Sequence, residues 1–197
     1  MADMPPFDSR RTHPQGTILE VDGDGDEILY VASGDVLTTA FDDMGNVISS
    51  CLHSEGDFIG LERLVGVAPP YEVLALVEIE VARTTAPKLR NWHEGDPKNQ
   101  TAILHQALRG MARSIDQQVM LRGTAVERTA RFLDRIHESE AAHLTLPRRV
   151  IARLLHVRPE TLSRALRQLQ DAGAIETTPS AIAIHEPAVL RSFANSS

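Results

Sequence analysis

The stretch richest in chemistry runs from Leu144 to Ile175, LTLPRRVIARLLHVRPETLSRALRQLQDAGAI. Between Ala141 and Arg167 it holds six arginines (148, 149, 153, 158, 164 and 167) and one acid, Glu160, a local balance of +5. The whole chain carries -7, so the remainder carries -12. A concentrated positive patch on an acidic body is the electrostatic footprint of a nucleic-acid reader. Arginine can donate two parallel hydrogen bonds to O6 and N7 of guanine, and glutamate can accept from the amino group of cytosine. Other arginines and Thr or Ser hydroxyls can hold phosphates and set register. The plainer reading is a solvated, arginine-rich helix pair; the agreement of cap, turn and exposed face weighs against it.

The elements that must present these groups follow from the same letters. Pro147 suits the first turn of a helix, and Val150, Ile151, Leu154 and Leu155 make that helix's inner face. His156-Val-Arg158 interrupts. Pro159 then takes a first helical position, and Glu160 favours the positive end of the helix dipole. Leu162, Ala165, Leu166 and Leu169 turn inward, and Gly173 stands where a C-terminal cap residue is expected. Two short helices joined by a tight turn form a helix-turn-helix. Its exposed face carries Glu160, Thr161, Ser163, Arg164 and Arg167.

Upstream, a helix is expected from Pro97 to near Gly123. Leu104, Leu108, Met111 and Ile115 recur at i, i+4, i+7 and i+11, and Val119 extends a stripe close to a heptad seam. Gln106, Arg109, Arg113, Asp116 and Gln117 mark the other face. Either the helix simply packs on the chain's own β-region or it also pairs with its copy in a second chain, and periodicity does not separate the two. Gly110 weakens this helix by about 1 kcal/mol relative to alanine, which suits a close approach there. A second helix spans Thr124 to His137, with Val126, Ala130, Leu133 and Ile136 as its apolar face, widened by Phe132.

The first 90 or so residues read as β-structure. Gly16–Val21, Glu27–Gly34, Asp35–Phe41, Asn46–Leu52 and the run Tyr71–Ala82 are strand-like, with turns at Asp22–Asp26 and Asp42–Gly45. This pattern suggests an antiparallel sandwich or barrel. In the last run Val77, Ile79 and Val81 face one way, and Glu78 and Glu80 the other. The acidic turn Asp22–Asp26 lacks the glycine and closing glutamate of a calcium loop at the needed spacing, so it reads as a solvated turn.

The 197 residues allow one large domain or two small ones. With 42% apolar and 24% charged residues the chain can bury a core unaided. Its single cysteine, Cys51, excludes an internal disulfide and a four-cysteine zinc or iron–sulfur site. No run approaches the roughly 18 apolar residues of a membrane span. The start lacks the apolar core of a signal peptide, so a cytoplasmic setting without membrane association is expected.

The segment Pro159-Glu-Thr-Leu-Ser-Arg164, with Ala165-Leu-Arg-Gln-Leu169 and Gly173-Ala-Ile175, resembles the winged helix-turn-helix of the CRP/FNR family of bacterial transcription regulators. Leu29–Val36 and Glu55-Gly-Asp-Phe-Ile-Gly60 are similar to that family's β-roll signatures, and Ala125–Leu133 to the helix after its dimer helix. The resemblance implies an α+β fold. An antiparallel β-roll (double-stranded β-helix) over 1–96 is followed by a dimerisation helix over 97–123 and a winged helix-turn-helix over 124–197. Glu160 and Arg164 match the base-reading pair, and Ser163 the extra base contact of the FNR-like branch. Arg148, Arg158, Thr161 and Arg167 are the candidate phosphate contacts. Thr177–Ile184 would be the wing. Leu104, Leu108, Met111, Ile115 and Val119 would form a homodimer interface. The pair would read an inverted repeat in double-stranded DNA with TGA-like half-sites about one helical turn apart. An activator would also touch RNA polymerase.

The chain departs from the family's cyclic AMP pattern. Gly60-Leu-Glu62 displaces the glutamate by one position, and Pro69-Pro-Tyr71 stands where an Arg-Ser pair would hold the cyclic phosphate. An anion without a cationic partner is poorly held in a semi-buried pocket. Cyclic AMP is therefore not expected to bind, and no cofactor is expected. His53 and Cys51, candidate haem ligands by type, read as structural residues. A regulator active without a ligand is the first expectation, and one with an effector of another kind the second. Two other classes remain: a cupin-like metal-dependent enzyme using His53 and Glu55, which lacks the third convergent ligand such a site wants, and a dimeric adaptor that does not bind DNA. No Ser/His/Asp arrangement, phosphate loop or dinucleotide fingerprint points to catalysis.

Overall fold

A computed structural model describes residues 5–21, 25–42, 44, 47–67, 70–138, 146–178 and 181–195. The chain divides into two compact units, Met1–Ser114 and Ile115–Ser197.

The first unit is built on eight strands: β1 (Ser9–His13), β2 (Ile18–Val21), β3 (Glu27–Ser33), β4 (Val36–Phe41), β5 (Val47–His53), β6 (Phe58–Ile59), β7 (Tyr71–Ala75) and β8 (Ile79–Thr85). They form two four-stranded antiparallel sheets, ordered β1-β8-β3-β6 and β2-β7-β4-β5. Alternation explains the core. Leu19, Val21, Val36, Val73 and Ala75 from one sheet pack with Leu29, Val31, Ile59, Ile79 and Val81 from the other. Gly34 turns β3 into β4 at φ +82°, and a Cβ there would lie 2.6 Å from the carbonyl oxygen of Glu78. Only glycine fits both constraints.

The run Tyr71–Ala82 is two strands rather than one. It breaks after Ala75, and β7 and β8 belong to different sheets. Ile79 and Val81 are buried as the alternation requires, whereas Val77 lies in the bend between strands and is partly exposed. β1, β6 and a 3-10 turn at Leu61–Val65 complete the unit, with a helix α1 (Ala86–Glu94) that the β-roll reading of 1–96 did not foresee. Ala86 and Leu89 of α1 join Ile28 and Ile103 in a second cluster, flanked by Phe58, Leu61, Leu64 and Trp92.

Helix α2 (Pro97–Met120) ends about one turn before Gly123. It packs by the face that looked polar. Ile103 is buried, Gln106 donates to the Gly56 carbonyl at 2.7 Å, and Arg113 pairs with the buried carboxylate of Asp57. Leu104, Leu108, Met111, Ile115 and Val119 are between 45% and 62% exposed. α2 therefore packs on the chain's own β-unit, and it does so by its polar face rather than by its apolar stripe. Among the described residues nothing lies within 4 Å of where a Gly110 Cβ would stand, so none of them makes the close approach expected there.

The second unit adds α3 (Ala125–Glu138), α4 (Arg148–Leu154), α5 (Pro159–Asp171), the hairpin β9 (Ile175–Thr177) and β10 (Ile182–Ile184), and a C-terminal helix α6 (Pro187–Ala194). α6 was not expected from the sequence. Thr124 and Glu127 cap α3 reciprocally: the Thr124 N–H donates to Glu127 Oε2 at 2.9 Å, and the Glu127 N–H donates to Thr124 Oγ1 at 3.4 Å. Ala130, Phe132 and Leu133 are buried; the side chain of Ile136 lies outside the described residues, as do Asp22–Asp24, Asp43 and Gly45 of the two turns, Asn46 before β5, Pro69, and Leu144-Thr145 before α4.

Candidate nucleic-acid interface

α4 and α5 stand on one apolar platform. Val150, Ile151 and Leu154 of α4, Leu155 at its end, and Leu162, Ala165, Leu166 and Leu169 of α5 are buried, each no more than 3% exposed. Between the helices, His156 adopts a left-handed conformation with φ +50°. Glycine is the usual occupant of such a position because a Cβ is strained there. The turn is closed by Leu155 N–H to the Ile151 carbonyl and Val157 N–H to the Ala152 carbonyl, both 3.0 Å. His156 is half-buried, and desolvation, followed by the nearby Arg128 guanidinium, lowers its pKa.

With the leucines committed inward, the outer face of α5 follows from helical geometry. Glu160, Ser163, Arg164 and Arg167 are exposed, and Thr161 is half-buried. No described residue bonds the side chains of Glu160, Arg164 or Arg167, so their donors and acceptors are open to a partner. Ser163 Oγ donates back to the Pro159 carbonyl at 3.0 Å and faces outward as an acceptor. Arg158 is exposed immediately before α5. Arg148, exposed at the start of α4, reaches the hairpin and donates to the Thr178 carbonyl at 2.9 Å. Gln170 ties α5 to the same hairpin, its Oε1 accepting from the Thr177 N–H at 3.1 Å and Oγ1 at 2.7 Å. The hairpin thus stands at the expected wing position, with Pro179 and Ser180 of its tip outside the described residues. The arrangement places a rigid cationic helix face beside a braced hairpin.

The β-unit holds a second polar group. His53 Nε2 is 3.1 Å from Thr38 Oγ1, and its Nδ1 is 4.0 Å from Asp57 Oδ2, which Arg113 also engages. Burial, with the Arg113 charge second, pushes the His53 pKa down to about 4, and Asp57 opposes this. Burial raises the Cys51 thiol pKa. Nearby, the Tyr71 hydroxyl donates to Glu62 Oε1 at 2.5 Å, and burial together with that bond raises the tyrosine pKa. Arg63 donates to the Gly25 carbonyl at 3.0 Å and lies over the Tyr71 ring at 5.6 Å. His53 is engaged by Thr38 and faces Asp57, while Glu55 sits on the exposed turn. Among the described residues, no three His, Cys, Asp or Glu side chains come together to hold a metal ion, and no helix is long and apolar enough to cross a membrane. The pairing of Arg113 with Asp57 had no signal in the sequence: the two are 56 positions apart, and only the fold joins them.

Residues 127–193 match the Crp-like helix-turn-helix domain family. No curated protein sequence matches the chain. Among solved structures, FixK2 from Bradyrhizobium japonicum is similar at 22% identity and TM-score 0.72, with 94% of this chain and 96% of that chain covered. A CRP-family transcriptional regulator from Thermus thermophilus, TTHB099, is similar at 20% identity and TM-score 0.73, covering 93% and 96%. The c-di-GMP responsive global regulator CLP from Xanthomonas campestris is similar at 21% identity and TM-score 0.76, covering 90% and 93%. At these identities the likeness is one of fold.

Proposed function

We infer that this chain, a regulator of the CRP/FNR type by its Crp-like helix-turn-helix domain and its whole-chain fold, reads an inverted repeat in double-stranded DNA as a homodimer. The observation that carries this reading is the outer face of α5, where Glu160 and Arg164 stand exposed without partners among the described residues. One turn apart on a rigid helix, Arg164 would donate to guanine and Glu160 would accept from cytosine of a TGA-like half-site, with Ser163 accepting beside them. Arg148, Arg158, Thr161 and Arg167 would hold phosphates and fix the register.

The exposed stripe Leu104, Leu108, Met111, Ile115 and Val119 supports the two-fold pairing, because a near-heptad apolar seam gains most when covered by its own copy. DNA binding without cyclic AMP is supported by the commitments of Glu62 and Arg63: the carboxylate accepts from Tyr71, and the guanidinium serves the Gly25 carbonyl. The role is regulatory rather than catalytic. RNA polymerase would be a partner where the protein activates.

Selection of bound sequences from a random duplex pool, without added small molecule, tests the reading. The expected product is an inverted repeat whose half-sites contain TGA. Arg164→Ala should weaken binding to it by about 1–3 kcal/mol and relax preference at one base pair per half-site. Enrichment of no sequence, with or without cyclic AMP, would overturn the proposal.

A further inference from the structure

One guanidinium joins three segments of the second unit. Arg131, on α3, places Nη1 3.2 Å from the Val119 carbonyl, 3.0 Å from that of Met120 and 2.9 Å from that of Arg122. Its Nε donates to the Ala194 carbonyl at the end of α6, at 3.0 Å. Its Nη2 lies 4.0 Å from Glu127 Oε2, the carboxylate that caps α3. The last carbonyls of a helix have no partner within the helix. Here one side chain from the following helix serves them at the end of α2 and reaches the end of α6 as well.

The link between α2 and α3 is closed down around this group. Gly123 has φ +78°, and a Cβ there would run into Glu127 Oε2 and lie 3.4 Å from Arg131 Nη2. Arg128 donates to the Gly123 carbonyl at 3.1 Å and to the Leu155 carbonyl at 3.3 Å, at the base of the helix-turn-helix. Gln117 of α2 donates to the Leu154 carbonyl at 2.7 Å. The end of α2 therefore belongs mechanically to the DNA-reading unit.

We propose that Arg131 is a positioning residue for DNA recognition: it locks the direction of α3, and the recognition helix packed on it, to the end of α2, and so sets which spacing of half-sites a pair of chains can read. This rests on the dimeric, DNA-binding reading above. Arg131 itself touches no base or phosphate in this scheme. Arginine is suited to the task because its planar fork donates in several fixed directions at once, which an ammonium on a flexible stem does not.

The full-length Arg131→Met and Arg131→Lys variants test it. Duplexes would carry one half-site, or two separated by lengths differing in single base pairs. The wild type should prefer one spacing sharply. Arg131→Met should lose about tenfold at that spacing and much less at its neighbours, with single half-site binding unchanged. Lysine should restore little. An unchanged spacing profile, or an equal loss on the single half-site, would overturn the proposal. Amide hydrogen exchange without DNA is the second measurement. Exchange over residues 119–127 should quicken in Arg131→Met while that of α5 stays as in the wild type. Unaltered exchange at 119–127, or equal acceleration in α5, would also refute the lock. Should the wild type ignore every duplex, the DNA-binding reading fails by itself, and the exchange result still decides whether the lock exists.

Discussion

A histidine buried as a neutral ring makes its domain sensitive to acid, and His53 is such a residue. The unfolded chain takes up its proton near pH 6.5, whereas the folded one does so only near pH 4, because burial and the Arg113 charge oppose the imidazolium. The stabilisation is present above pH 6.5 and is lost as pH falls toward 4, by up to about 3 kcal/mol. Denaturant titrations at pH 7 and pH 4.5 should therefore differ less for His53→Gln than for the wild type. An unchanged difference would show that His53 does not set the slope. Cys51 belongs to the same interior. Its raised thiol pKa predicts slow alkylation of the folded protein at neutral pH and fast alkylation after unfolding, read by mass spectrometry. His156 adds a backbone cost to its lowered pKa. With φ +50°, replacement by glycine should be neutral or stabilising by up to about 1 kcal/mol, and replacement by valine should destabilise by more than that. Thermal melting of the two variants checks the order.

At the scale of elements, α2 shows how one helix serves two sides. Its apolar stripe was legible from spacing alone, and only the fold left that stripe exposed. Its inward face was not, because Gln106 and Arg113 read as solvent-facing until the β-unit supplies the Gly56 carbonyl and Asp57. If the stripe is the homodimer seam, Leu108→Asp with Met111→Asp should give monomers in analytical ultracentrifugation. Binding to the inverted repeat should fall with it, since two charges buried against their copies cannot be satisfied there. Retention of a dimer would place the seam elsewhere. The junction after α2 makes a second test. Gly123→Ala brings both a strained φ and a clash with Glu127, so it should destabilise the second unit by more than about 1 kcal/mol. The Thr124-x-x-Glu127 capping pattern that produces this crowding stood in the sequence, and only its consequence for Gly123 needed coordinates.

Across the whole molecule, charge is divided so that the helix-turn-helix segment is positive while the rest is acidic. With Arg148, Arg158 and Arg167 on phosphates in each of two half-sites, the logarithm of the binding constant should fall with the logarithm of salt at a slope of about -5. Arg167→Ala should flatten that slope by about 2, one contact being lost in each half-site. A flat response in the wild type would point away from DNA. Composition, periodicity and turn residues were enough to determine the β-rich first part, the apolar seam, the helix-turn-helix and its exposed arginines. Each of these is a local property: the side-chain period and the caps depend on residues a few positions apart. Tertiary structure alone decided the division of Tyr71–Ala82 between two sheets, the burial of His53 against Asp57 and Arg113, and the carbonyls gathered by Arg131. Those depend on groups far apart in the chain, such as Asp57 and Arg113, 56 positions apart, and Arg131 and Ala194, 63 apart. A one-dimensional pattern records that a polar group needs a partner, but not which distant one the packing will bring to it.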